Sequence, residues 1–230
     1  MISSVLPAAS SVLVVCAHPD DESFGLGAVL TAFANQGART SVLCFTRGEA
    51  STLHVNDDDL ATVRSLEFAR AATVLGVSKF QLLDYPDGHL ADQQFSELTA
   101  HAVRMTEEVG ADLLLTFDEG GITGHPDHVR ATQVAQAVST PCGVPVLAWV
   151  IADGVAETLS HEFGAKFVGR FEEQLDFRVP IDRVIQREAI ACHASQSSSN
   201  PVLQRRLELS GDFEPLRWLI PTEPLPSTTS

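Results

Sequence analysis

The sequence predicts an α/β fold, a Rossmann-like open parallel sheet with helices on both faces and a small C-terminal β/α extension. Three observations carry this. From about residue 11 to 152, short apolar runs alternate with segments of helical spacing, the order of a parallel sheet with crossover helices. Runs such as Val12-Leu13-Val14-Val15 are continuous rather than alternating, as strands covered on both faces require. Polar clusters follow four successive runs at their C-terminal ends, where open α/β sheets gather their functional groups.

Each element follows in turn. Residues 11–16 read as the first strand, and Phe24, Leu26, Val29, Leu30 and Phe33 place a helix over 23–36 that Gly37 ends. Thr40 to Thr46 is the second strand, and Arg47 to Asn56 an aperiodic loop. Asp57 to Leu75 reads as a helix with acidic residues at its positive end and Gly76 beyond it. A short third strand, Phe80 to Leu83, leads to the turn Tyr85-Pro86-Asp87-Gly88. A helix over 94–109, a fourth strand over 111–117, a helix over roughly 126–139 and a fifth strand over 145–151 complete the repeating part. Beyond residue 153 the periodicity weakens. Short strands are predicted at 166–168 and 177–179, a helix at 182–193 capped by Asp182, and a polar loop at 195–200. The whole chain, 1–230, reads as one domain, with residues 11–152 Rossmann-like, 153–220 an extension and 221–230 a frayed Pro/Ser/Thr tail.

Composition narrows the function. A net charge of −15 repels polyanions, which argues against nucleic acid as a partner. No stretch approaches the roughly 20 apolar residues of a membrane span. The N-terminus lacks the basic start of a signal peptide. Four cysteines at 16, 44, 142 and 192 form no C-x-x-C pair and fit reduced, buried thiols in a cytoplasmic protein better than a disulfide framework. Oligomeric state is left open, a homo-oligomer included.

The chemistry sits in two clusters. His18-Pro19-Asp20-Asp21-Glu22 follows the first strand, and His125-Pro126-Asp127-His128 follows the fourth. Proline suits the first position of a helix, where its missing N–H would have no partner. His18 and Asp21, three apart, can face one ion, and His128 completes a set of two histidines and one carboxylate. Three protein ligands with a position left for water is the pattern of catalytic zinc, although Fe(II), Co or Mn also accept these donors. Asp20 adjoins a ligand and can take the proton of a water. His125, about one turn before His128, can steady a developing oxyanion. Read alone, either cluster is only a helix start, and Arg64 and Glu67 are a surface i,i+3 pair. Asp87 is then a turn residue, His89, His101 and His161 are solvent or loop histidines, like His54, and Trp149 and Trp218 are core. Two such clusters, each after an apolar strand, make coincidence a poor explanation.

At these residues the chain resembles the LmbE/PIG-L family of metal-dependent N-acetylglucosaminyl deacetylases. The resemblance rests on A-H-P-D-D-E at 17–22, T-R-G-E at 46–49, Arg64-x-x-Glu67, Leu75-Gly76-Val77, Tyr85-Pro86-Asp87-Gly88, His125-Pro126-Asp127-His128 and His193-Ala194-Ser195-Gln196. It implies a single zinc on His18, Asp21 and His128, Asp20 as general base, and His125 at the tetrahedral intermediate. It also places Arg64 and Asp87 near the sugar, and Glu49 adds a further hydroxyl-binding carboxylate. The loop 118–124 departs from relatives that carry a tyrosine there, and Tyr85 is the chain's one tyrosine, so Asp20 doubles as the simplest general acid.

The expected activity is zinc-dependent removal of acetyl from an N-acetylglucosamine conjugate, a small-molecule amino sugar. Three alternatives share parts of the pattern: an amidase of the mycothiol-conjugate type, a metal phosphoesterase, and a non-catalytic zinc-binding module. A phosphoesterase usually wants two metals, and a structural zinc four protein ligands.

Overall fold

β1 (Ser11–Cys16) is buried at every position, with Val12, Val14 and Cys16 packed into one apolar layer and Leu13 and Val15 into another. That double burial explains its uninterrupted apolar run. The computed structural model describes residues 2–53 and 59–221. His54, the acidic start expected at Asp57 and nearly all of the tail lie outside the described residues.

After β1 come α1 (Asp21–Phe24), α2 (Gly27–Asn35), β2 (Arg39–Thr46), α3 (Leu60–Val74), β3 (Lys79–Tyr85), α4 (Phe95–Val109), β4 (Leu113–Phe117), α5 (Gly121–Gly124), α6 (Pro126–Cys142) and β5 (Val146–Trp149). Then follow β6 (Ile151–Ala152), α7 (Asp153–Phe163), β7 (Gly169–Arg170), β8 (Phe177–Pro180), α8 (Val184–Cys192), α9 (Ala194–Ser197), α10 (Pro201–Ser210) and β9 (Phe213–Ile220). The main sheet has seven strands in the order β3-β2-β1-β4-β5-β9-β8, and β6 pairs with β7 in a small second sheet. β1 to β5 are parallel, while β9 runs antiparallel to both β5 and β8. Leu30 and Phe33 of α2 and Phe68 of α3 cover one face; Leu98 and Met105 of α4 and Val134 and Val138 of α6 cover the other. Each such side chain, removed from water, contributes on the order of 2 kcal/mol.

The chain leaves β1 toward β2 on one side and β4 toward β5 on the other. The strand order therefore reverses between β1 and β4, and the crevice at their C-terminal ends is the binding position of such a sheet.

The expected elements up to residue 149 form, with four differences, one being that the fifth strand expected over 145–151 ends at Trp149 while Ile151 joins the small second sheet. The helix expected over 23–36 is split into α1 and α2 at Gly25 and Leu26. Gly25 lies against the Phe117 ring, where a Cβ would overlap it. β3 continues through Tyr85, and α6 runs on to Cys142, where Gly143 stops it in a left-handed conformation (φ 65°).

Larger corrections fall after residue 153. Lys166 to Val168 is not a strand; the short strand there is Gly169–Arg170. α7, α10 and β9 were not anticipated, and part of the expected loop 195–200 is α9. The predicted helix at 182–193 spans Val184–Cys192, with the Asp182 carboxylate accepting from the Val184 N–H at 2.8 Å. β9 was hidden because Glu214, Pro215 and Arg217 interrupt its apolar alternation. It lies in the middle of the main sheet's later half, so this segment completes the core instead of decorating it.

Glu214 explains how a charged strand is tolerated there. Its carboxylate is fully buried and accepts from Arg183 Nη1 at 2.5 Å, Arg206 Nη1 at 3.2 Å and Trp149 Nε1 at 2.7 Å. Glu214→Ala strands two buried guanidinium groups. It should lower unfolding stability by about 3–5 kcal/mol, read as a shift in the denaturant midpoint.

Candidate active site

The loop after β1 is shaped by its own carboxylates. Asp21 Oδ2 accepts from the backbone N–H groups of Ala17 at 3.0 Å and His18 at 2.9 Å. Asp20 takes a positive φ of 117°, a conformation that costs energy for a residue other than glycine. Its neighbours hold it there. The Asp20 N–H donates to Glu22 Oε2 at 2.9 Å, its carbonyl accepts from Ser23 N, and its carboxylate meets Arg64 Nη2 at 3.0 Å. Glu22 is itself clamped by His193 Nε2 and Ser23 Oγ, both at 2.6 Å.

The loop after β4 supplies the opposing face. Arg170 Nε holds Asp118 at 2.8 Å. His125 caps α6, with its Nδ1 accepting from the Asp127 N–H at 3.2 Å, and Pro126 occupies the first helical position. That bond fixes the neutral ring with its proton on Nε2. Burial, together with the neighbouring His128 and His18, holds the His125 pKa below its ordinary value, which favours the neutral ring.

Between these loops, ligand atoms of His18, Asp21 and His128 lie within 4.8 Å of one another. His18 Nδ1 is 3.0 Å from His128 Nε2, and Asp21 Oδ1 is 3.1 Å from the same nitrogen. The other nitrogen of each ring is engaged. His18 Nε2 faces Asp87 Oδ1 at 3.0 Å and Asp127 Oδ2 at 3.2 Å, and His128 Nδ1 faces the Gly121 carbonyl at 3.3 Å. These contacts place a proton on each outer nitrogen and leave the inner lone pairs for a cation, the usual support of a metal-binding histidine. Burial opposes a proton on His18, but Asp127 and Asp87 outweigh it and hold the ring well above its ordinary value; the same carboxylates strengthen Nδ1 as a donor. Burial likewise opposes ionisation of Asp21, yet His128 and His18 keep its carboxyl well below the usual range. The donor set thus fits a divalent ion. A second group, His18, His125 and Asp127, shares His18 with the first. Asp127 is fully buried and already accepts from Gly88 N at 2.8 Å and Leu90 N at 2.9 Å, so it serves as a support.

Burial pushes the Asp20 carboxyl up, Arg64 pulls it down and Asp21 adds to the rise, leaving it at about 6. Arg64 also donates to the carbonyls of Gly48 and Pro19. Gly48 has a φ of 67°, and any side chain there would occupy the place of the guanidinium.

The structure brings His18, Asp20, Asp21, Arg64, Asp87, His125 and His128 to the wall of one cavity of about 570 Å³. Glu49 is exposed beside it, accepting from the Asp87 N–H at 3.0 Å, while Asp87 Oδ2 accepts from Ala50 N at 2.9 Å. Arg64 and Glu67 are not a surface pair. Both are buried, and Glu67 instead accepts from Ser195 N at 2.8 Å and Ser195 Oγ at 2.6 Å. His101 is not a loop residue but half-buried on α4, edge-on to Tyr85. Trp149 is buried, as expected of core, yet it also lines the cavity.

Sequence reasoning left Asp127, Glu22 and His193 without individual roles. Asp127 had a signal, its place between the two histidines; the pairing of Glu22 with His193, far apart in sequence, had none.

The family described as PIG-L, GlcNAc-PI de-N-acetylase, matches residues 13–139. A 1D-myo-inositol 2-acetamido-2-deoxy-alpha-D-glucopyranoside deacetylase of Catenulispora acidiphila is 32% identical over 166 residues, covering 61% of this chain and 51% of that protein. The chain spans about half the length of the curated relatives it matches first. Among solved structures, the N,N'-diacetylchitobiose deacetylase of Pyrococcus horikoshii aligns with a TM-score of 0.67 at 20% identity, over 92% of this chain and 84% of that one. The 4-carboxy-2-hydroxymuconate hydratase of Pseudomonas putida KT2440 aligns at 0.69, also at 20% identity, over 94% and 100%. Deacetylase and hydratase share this architecture, so fold alone does not choose the reaction. With the family's profile matched over more than half its length, and both histidine clusters inside the match, the chain belongs to the PIG-L family.

Proposed function

We propose that the chain hydrolyses the N-acetyl amide of an N-acetylglucosamine conjugate, using one divalent ion, zinc in the first instance, held by His18 Nδ1, Asp21 Oδ1 and His128 Nε2. The observation that carries this is the convergence of three donor atoms whose two imidazoles are each anchored through the outer nitrogen. The names of the relatives supply the substrate class. A cytoplasmic setting belongs to the same reading, supported by four free cysteines.

A divalent ion held there would polarise an amide carbonyl and acidify a water. Asp20, beside the ligand Asp21 but outside the donor set, takes a proton on its carboxylate and later returns it to the leaving amine. Arg64 fixes that carboxylate through its 3.0 Å contact. His125 donates from Nε2 to the oxygen on which charge develops. Tyr85 packs against Phe45 and His101 and does not line the cavity, which supports Asp20 as the acid. Asp87 and Arg64 meet the sugar from the cavity wall, and Glu49 steadies Asp87 from outside. Among the described residues, the two candidate metal groups share His18, which favours one ion over the two of a phosphoesterase.

Acetate release from N-acetylglucosamine conjugates, with metal content measured on the same preparation, tests the reading. His128→Ala should lose both metal and activity, and a metal-free, fully active His128→Ala protein contradicts it. Asp20→Asn should retain one metal per chain while losing most turnover. His125→Ala should keep the metal and lower kcat by roughly ten- to a thousandfold. Asp127→Asn should weaken metal affinity by about 10–100-fold, seen by competition with a chelator, because it removes the charge behind His18.

A further inference from the structure

The catalytic cavity is chemically two-sided. The donor atoms and carboxylates described above occupy one side. Six of the apolar residues lining the rest are Phe24, Phe117, Trp149, Ile151, Phe167 and Val202, and the polar residues Ser51, Thr52, Gln196 and Asn200 also reach the cavity. The apolar surface begins at the metal ligands themselves, since the Phe117 ring centroid is 5.0 Å from that of His128 and 5.5 Å from that of Trp149.

On this wall the polar atoms of Trp149 and the Arg206 guanidinium are already engaged. The one polar atom of the Trp149 side chain, Nε1, donates to the buried Glu214, so the indole offers carbon to the cavity. The Arg206 guanidinium lies 5.3 Å from the Trp149 ring centre and is held by Glu214 and the Phe24 carbonyl. Four of these six, Trp149, Ile151, Phe167 and Val202, lie beyond residue 139, where the family match ends. They come from β5, β6, the connection between α7 and β7, and α10. The reacting centre is therefore the family's, while the far wall belongs to a part of the chain the match leaves out.

We propose that this wall is a specificity subsite for an apolar group of about ring size carried by the substrate, and that the enzyme disfavours a polyol such as inositol there. Hydroxyl groups brought against Phe117, Trp149 and Ile151 would leave water without gaining partners, and each polar group left unpaired there weakens binding. An aryl or alkyl group would instead replace water at carbon surface. Such a group has two sources, an apolar aglycone on the sugar or an acyl chain longer than acetyl. The inference rests on the amide-hydrolase reading above.

The test uses the metal-loaded protein and three substrates: N-acetylglucosamine joined to inositol, its phenyl glycoside, and the methyl glycoside of N-hexanoylglucosamine. One of the two apolar substrates should exceed the inositol conjugate in kcat/KM by at least about tenfold; which one identifies the source. Val202→Asn, at a half-buried position on α10, should shrink that ratio mainly by raising KM for the apolar substrate. Binding is read separately. Phenyl glucosaminide, and not glucosamine or inositol, should perturb Trp149 fluorescence, with Trp218→Phe isolating the signal. An inositol conjugate turned over as well as both apolar substrates, or equal binding of all three probes, overturns the proposal. Failure to hydrolyse any of the substrates defeats the amide-hydrolase reading instead, and the fluorescence arm still decides the wall.

Discussion

The contact between His18 Nε2 and the carboxylates of Asp127 and Asp87 organises this molecule. It joins the ends of three strands: His18 follows β1, Asp87 follows β3 and Asp127 opens the helix after β4. Asp127 also accepts from two backbone N–H groups of the turn after β3, so one fully buried carboxylate sets the separation of those loops. A buried charge survives only when its hydrogen bonds are complete, and here they are completed by the loops that the site needs in register. The same contacts decide which nitrogen of His18 is left to bind a cation.

The rest of the cavity is built outward from that anchor. Asp20 is held in its unusual conformation by Glu22 and Arg64, and Glu22 in turn by His193 from the end of α8. Ser195, two residues on, ties the same segment to Glu67 of α3. The C-terminal segment is thus part of the active-site support as well as of the core. β9 brings Glu214 beneath Trp149, and α10 brings Arg206 and Val202 to the cavity. The proposed metal ligands and catalytic groups sit on the family-matched half, and much of the space facing them is shaped by the other half.

Legibility in the sequence followed the range of the interactions. Strands β1, β2 and β4 announced themselves because burial on both faces leaves an unbroken apolar run. His18, Asp21, His125 and His128 announced themselves because two short clusters follow such runs. β9 did not, since a strand carrying Glu214, Pro215 and Arg217 reads as surface unless the buried guanidinium partners, distant in sequence, are known. Arg64 and Glu67 misled for the same reason: three apart on a helix, they resemble an exposed pair, whereas each is bonded to a residue of another element. Long-range polar pairing, and the apolar cavity wall assembled from segments far apart in the chain, leave no local period to read.

The central claim is the ligand set, and X-ray absorption at the metal edge of the zinc-loaded protein tests it most directly. The account predicts two imidazole nitrogens with oxygen donors and no sulfur, and, in His128→Gln, either no zinc retained or a spectrum with one imidazole fewer. A sulfur shell, or an unchanged two-imidazole signal in that variant, would contradict it.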